Sequence, residues 1–206
     1  MGWLVIVGSL PIGILGLVFK DQITGPARDL RLTATTLIVM GLVLGFADWQ
    51  ASRDEEGGRH RVVVQRKTLK ELGVKDGLIF GLCQAMALIP GVSRSGATIS
   101  GGLLLGFTRE AAARYSFLLA IPAVLASGAF EIKDVMENPT HISWGPTVFA
   151  TVIAFFVGYA VIAWFMKFIS TKSFMPFVIY RIVLGIALFV LIGTDVLSPH
   201  AGESGS

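Results

Sequence analysis

Apolar residues in this chain come in long runs, not in the alternation of a half-buried strand or the single stripe of a surface helix. Residues 3–19, 32–49, 109–130, 147–169 and 174–194 each predict a helix that is hydrophobic on all sides. Runs of that length with few charges suit transmembrane helices. Between the second and third run lies an interrupted stretch: an apolar run of 16 residues at 74–89, a polar turn, and a run of 11 at 97–107. At 1.5 Å per residue these reach roughly 24 and 17 Å, against about 30 Å of hydrocarbon, so neither comfortably spans. Two half-height helices joined by a polar turn predict a re-entrant hairpin, its tip at membrane depth, that returns to the side it entered from. Non-helical backbone is tolerated there only when buried in protein or facing a watery cavity.

The expected fold class is therefore an all-α integral membrane protein: about five transmembrane helices plus one re-entrant helix-loop-helix, arranged as an incomplete inverted repeat. Residues 1–50 would be the last two helices of a first repeat and 51–75 a cytoplasmic basic loop. Residues 76–194 would form a second repeat, with the hairpin at 76–107 and three transmembrane helices, followed by a polar tail at 195–206.

Composition supports the membrane reading. A hydrophobic share of 53%, a charged share of 15% and a mean hydropathy of +0.72 leave too little polar surface for a soluble globule of 206 residues. The net charge of +3 is concentrated between membrane segments, so it speaks to topology and not to nucleic acid. Arg53, Arg59, Arg61, Arg66, Lys67, Lys70 and Lys75 place the 51–75 loop in the cytoplasm. The acidic loop after the third long run, and a tail without Lys or Arg, then fall outside. Asp48 and Trp49 read as an interfacial helix end with a solvated carboxylate, and Glu110 and Arg114 as a modest i, i+4 pair. Cys83, alone, reads as a small buried thiol. His60, His141 and His200 fall in polar loops or the tail, with no metal-ligand spacing.

Chemistry concentrates at the hairpin tip, in Pro90-Gly91-Val92-Ser93-Arg94-Ser95-Gly96-Ala97-Thr98. Pro90 biases Ile89 away from the α region and should stop the first helix there. Gly91 and Gly96 let backbone approach a ligand closely. A second helix starting near Ser95, capped by its hydroxyl, would aim unpaired N–H groups and a positive dipole end at the same point as Arg94. A guanidinium at mid-bilayer costs about 2.5–3.5 kcal/mol on insertion scales, so it needs an anionic partner. Its planar fork fits phosphate oxygens bidentately. These features describe a phosphate cradle. The plainer alternative is a kink whose Arg94 pairs with a carboxylate on a neighbouring helix. Arg181, a turn or two inside the last apolar run, either snorkels or makes a second contact to the anion.

PGVSRSGAT, preceded by GLCQAMALI and followed by ISGGLLLGFTREAAARYSFLLAIPAVLASG, closely resembles the bacterial undecaprenyl-diphosphate phosphatase (bacitracin-resistance) family. WLVIVGSLPIGILGLVFKDQI and FVIYRIVLGIAL extend the likeness over nearly the whole chain. The resemblance implies hydrolysis of undecaprenyl diphosphate to the monophosphate, recycling the carrier lipid for cell-wall synthesis, in a multi-pass protein of the cell membrane with its C-terminus outside. It implies that Ser93, Arg94 and Thr98 line the diphosphate site as catalytic residues. Gly91, Ser95, Gly96, Gln84 and Arg181 would be substrate-binding neighbours, Gln84 standing where the pseudo-equivalent first-repeat motif has a glutamate.

The family also carries an N-terminal hairpin with an E-x-x-x-E pattern, a Ser-rich turn and a histidine, none of which occurs here. The chain is therefore expected to be truncated at its N-terminus, either a short gene model or a naturally reduced homologue, and its sequence leaves open whether it is active alone. Mg²⁺ or Ca²⁺ is the implied cofactor, with its ligands in that missing part and none in this sequence. The expected partners are the polyprenyl diphosphate lipid and the bilayer; a homodimer is compatible with this reading. Broken helices around an anion cradle also build carriers, so a polyprenyl-phosphate transporter is the alternative from another class.

Overall fold

A computed structural model describes residues 2–19, 29–56, 65–137, 144–170 and 172–199. It is all helical: α1 (Gly2–Val18), α2 (Leu30–Glu56), α3 (Val74–Ala85), α4 (Arg94–Leu104), α5 (Arg109–Glu137), α6 (Trp144–Ile169) and α7 (Met175–Gly193), with short 3₁₀ turns at Leu69–Glu71 and Met86–Leu88. Among the described residues, α2, α5, α6 and α7 are long and apolar enough to cross a membrane, and α1 is a shorter apolar helix of 17 residues. Their outward side chains, such as Phe149, Phe155 and Trp164, are more than half exposed. That much apolar surface fits lipid as solvent and not water. The protein is a multi-pass membrane protein.

The α3–α4 hairpin is the centre of the bundle. α3 lies against α1, α4 lies against α2 and α5, and α2 pairs in turn with α7. At the crossing of α1 and α3 the backbones touch. A Cβ on Gly81 would collide with the carbonyl of Gly8, and one on Gly8 would sit 2.9 Å from the carbonyl of Gly77. Small residues permit this approach, which is how membrane helices gain contact without a hydrophobic driving force. Beside it Phe80 packs edge-on against Tyr115 (4.8 Å between centroids) and Phe107 (5.7 Å), and the Tyr115 hydroxyl donates to the carbonyl of Leu4 at 2.7 Å.

A layer of ion pairs closes the end of the bundle that bears the basic loop. The carboxylate of Asp48 accepts from Arg109 Nε at 2.7 Å and from the backbone N–H of Phe174 at 3.0 Å. Asp48 is 2% exposed. The expected solvated helix end is thus a buried junction of α2, α5 and the start of α7, because α2 continues to Glu56 instead of ending at Trp49. The Arg66 guanidinium donates to Asp54 (3.0 Å) and to the carbonyls of Leu103 (3.1 Å) and Phe107 (2.6 Å), capping the C-terminal end of α4. The backbone of Lys67 bonds to Gly106 and Thr108, so the returning arm of the hairpin is stitched to the loop from which it departed. At the opposite end, Leu30 donates to the carbonyl of Pro199.

Other expected boundaries shift by a turn or more. α5 runs on to Glu137, and residues 51–56 and 69–71 of the basic loop are helical. Glu110 and Arg114 form the expected pair, at 3.7 Å and largely exposed. His60, His141, His200, Arg59 and Arg61 lie outside the described residues.

Candidate anion site at the hairpin tip

The first arm is α-helical only to Ala85; a 3₁₀ turn carries it to Leu88, and Ile89 is extended, as its place before Pro90 requires. Gly91 then takes φ +83°, a conformation that L side chains rarely adopt. A Cβ there would also collide with Thr36 Oγ1 and sit 2.5 Å from the carbonyl of Thr33. Thr36 fixes the turn further by donating to the carbonyl of Pro90 at 2.6 Å.

Ser93, not Ser95, caps the second arm. Its hydroxyl accepts from Gly96 N–H at 3.3 Å, and its own backbone sits at φ +65°. Holding a non-glycine residue there costs of order 1–3 kcal/mol, and such strain clusters where a site must be pre-formed. Arg94 is thereby the first residue of α4. The N–H groups of Arg94 and Ser95 precede the first intrahelical bonds and sit with the Arg94 cation at the positive end of the helix.

The depth of this point follows from its neighbours. Thr36, which touches the tip, lies 12 residues along α2 from Asp48 in the ionic layer, about 18 Å at helical rise. Thr98 contacts Ser116, seven residues along α5 from Arg109, so the chain around Arg94 lies deeper still. A hydrocarbon core of about 30 Å that begins at the ionic layer would contain the tip. Among the described residues no carboxylate pairs with Arg94, and the positive end of the α4 dipole adds to its charge, so the point favours an anion.

The remaining candidates divide. Ser93, Ser95, Gly96 and Arg181 border one cavity of about 340 Å³, walled by aromatic rings including Phe117 and Tyr180. Arg181 neither snorkels nor points freely into it. One amino group donates to the carbonyls of Gly91 (2.8 Å) and Val92 (3.0 Å), and its Nη1 faces Gly96. Thr98 is buried; it bonds back to Arg94 O at 2.8 Å and meets Ser116 Oγ, which ties α4 to α5 behind the open face. Gln84 is wholly buried in α3 with neither amide atom bonded among the described residues. The roles of Thr36 and Ser116 are not legible in the sequence, since a hydroxyl inside an apolar helix gives no sign of its partner.

The donor set at the tip is two guanidiniums, hydroxyls and backbone amides. No group of three His, Cys, Asp or Glu side chains among the described residues could hold a metal ion. These residues do not fit Mg²⁺ or Ca²⁺; two nearby cations would repel it. They fit an oxyanion.

Residues 1–187 match the family described as bacitracin resistance protein BacA. The chain is 80% identical over 204 residues to an undecaprenyl-diphosphatase of Streptomyces griseus, covering 99% of this chain and 70% of that protein. It is 75% identical over 205 residues to undecaprenyl-diphosphatase 2 of Streptomyces coelicolor, covering 100% and 70%. A relative from Thermobifida fusca with the same activity in its name is 56% identical over 202 residues, covering 98% and 65%. The match runs through the hairpin and all the helices that position it, and the chain belongs to the bacitracin resistance protein family.

Proposed function

We propose that this protein is an undecaprenyl-diphosphate phosphatase that releases the terminal phosphate, returning the carrier lipid to cell-wall synthesis and so conferring resistance to bacitracin. The observation that carries the reading is Arg94 at the head of α4, without a carboxylate partner among the described residues, in a chain whose relatives are named for this activity. Water attacks the terminal phosphorus, the bridging P–O bond breaks, and the polyprenyl monophosphate leaves. Charge grows on the phosphoryl and bridging oxygens as this happens, so the catalytic task is electrostatic. Arg94 binds two oxygens of the diphosphate through its guanidinium fork. Ser93, whose oxygen already accepts from Gly96, donates its hydroxyl proton to a third. The N–H groups of Arg94 and Ser95 face the same charge. Thr98 and Arg181 act as positioning residues: one locks α4 to α5 and the other holds the turn.

The carrier alternative gains no support from relatives named for hydrolysis. The basic residues flanking 51–75 and the acidic residues after α5 support a cytoplasmic loop and an outer tail by the positive-inside rule. The deciding experiment is phosphate release from undecaprenyl diphosphate by the purified protein in lipid. Arg94→Ala should lower kcat by about a hundredfold or more, with Arg94→Lys recovering only part because Lys lacks the fork. Hydrolysis that survives Arg94→Ala overturns the reading.

A further inference from the structure

α5 has an apolar cleft on each flank. One, of about 640 Å³, lies between α1 and α5 beside Ile12, Pro122 and Phe130. The other, of about 650 Å³, lies between α5 and α6 and is lined by Phe117, Ile121, Val124, Leu125, Ile162 and Met166. The two match in size and in apolar character, and they differ in what stands at the polar end. Only the second begins at the Arg94 guanidinium, with Arg114 also on its wall.

The reason this cleft is open lies in how α6 is held. Its ring contacts to the bundle come from its C-terminal part: Phe165 against Phe117 (5.7 Å) and Phe177 (5.4 Å), and Phe168 against Phe177 (6.2 Å). From Trp144 to Val157 every residue of α6 is exposed. An aromatic clasp near the Arg94 level thus gives way to a wall facing lipid.

We propose that the α5–α6 cleft is the subsite for the isoprenoid chain of the substrate, taking the units next to the diphosphate while the rest of the tail runs out into the bilayer. The inference rests on the diphosphatase reading above. Two apolar spaces adjoin the tip, the cavity at Ser93, Ser95 and Gly96 and this cleft. Only the cleft is lined by Arg94, so a diphosphate held by that guanidinium directs its ester carbon into it and on toward lipid. Pockets of about 300–1,000 Å³ hold molecules of drug size, so the cleft accommodates a few isoprene units and not the whole tail. A farnesyl chain should therefore bind almost as well as an undecaprenyl chain.

The test uses the whole protein in lipid nanodiscs and a non-hydrolysable farnesyl diphosphate analogue carrying a photoreactive diazirine on its last unit. Saturable labelling is expected on α5 and α6 around Val124 and Ile162. Val124→Trp and Ile162→Trp, which fill the cleft from opposite walls, should each reduce labelling and raise KM about tenfold or more for farnesyl and undecaprenyl diphosphate alike. Ile12→Trp, which fills the α1–α5 cleft, should do neither. Labelling along α1, labelling scattered over lipid-facing residues, or an unchanged KM in both cleft-filling variants overturns the proposal. Hydrolysis with labelling elsewhere defeats the cleft alone. Saturable labelling in the cleft without hydrolysis by the unmodified protein defeats the diphosphatase reading and leaves a prenyl-lipid site.

Discussion

Arg181 of α7 donates to the carbonyl of Gly91 at 2.8 Å, reaching across the bundle to a residue 90 positions earlier in the chain. With a second bond to Val92 at 3.0 Å, it fixes the turn that presents Arg94. A cation usually expected to seek water or a ligand is here a bracket for backbone.

Removing that bracket should cost activity more than fold. Arg181→Lys keeps the charge but cannot reproduce the planar pair of bonds, and a buried carbonyl left unbonded costs about 1–3 kcal/mol. Phosphate release should fall about tenfold or more while the thermal midpoint drops only by several degrees. Equal activity in Arg181→Lys and the unmodified protein would show that the turn holds without it.

Gly91→Ala should be much worse than Gly106→Ala. Both glycines have positive φ, at +83° and +84°, so both substitutions bear the left-handed cost of about 1–2 kcal/mol. Space around Gly106 is open, whereas a Cβ on Gly91 runs into Thr36 and Thr33. Thermal denaturation in detergent should rank them, and adding Thr36→Ala should rescue Gly91→Ala only in part, since the Thr33 carbonyl remains.

The Asp48–Arg109 pair at 2.7 Å offers a double-mutant cycle. Asp48→Asn or Arg109→Met should each destabilise by about 3–5 kcal/mol, because each strands a buried charge. Combining them should cost clearly less than the sum. Strict additivity, measured by denaturant unfolding in micelles, would deny that the two groups act as a pair.

Glu71 provides a pH prediction at the surface. The backbone N–H of Thr68 (2.7 Å), then its hydroxyl (3.0 Å), and more weakly Lys67 hold its carboxyl below the ordinary glutamate value of 4.5. A depressed folded-state pKa adds stability above the unfolded value and loses it as pH falls through the folded one. The turn at Leu69–Glu71 should therefore stay closed at neutral pH and loosen only in acid below the normal carboxylate range. Amide exchange at Thr68 should rise there, and Glu71→Gln should abolish that pH dependence.

Much of this was legible in the chain. Five apolar runs, the two short arms around Pro90 and Gly91, and the cation at Arg94 in the turn between them are statements about length, hydropathy and backbone freedom, which act locally. The burial of Asp48 is not legible in the sequence, because solvent exposure is not a local property. Its position before Trp49 suggests a helix end, and only the arrival of Arg109 and Phe174 from elsewhere turns it into a buried junction. The exchange of Ser95 for Ser93 as the helix cap has the same origin: the strained φ of Ser93 is sustained by a turn that Thr36 and Arg181 hold.

By itself, then, the sequence determined that the chain is an all-helical membrane protein, that two short helical arms meet at a polar turn, and that Arg94 stands at that turn. Which side chains border the open cavities and which hold the turn was decided by tertiary structure. Hydrogen bonds that link residues dozens of positions apart depend on how the helices stack, and a linear pattern of apolar and polar residues carries no record of that stacking.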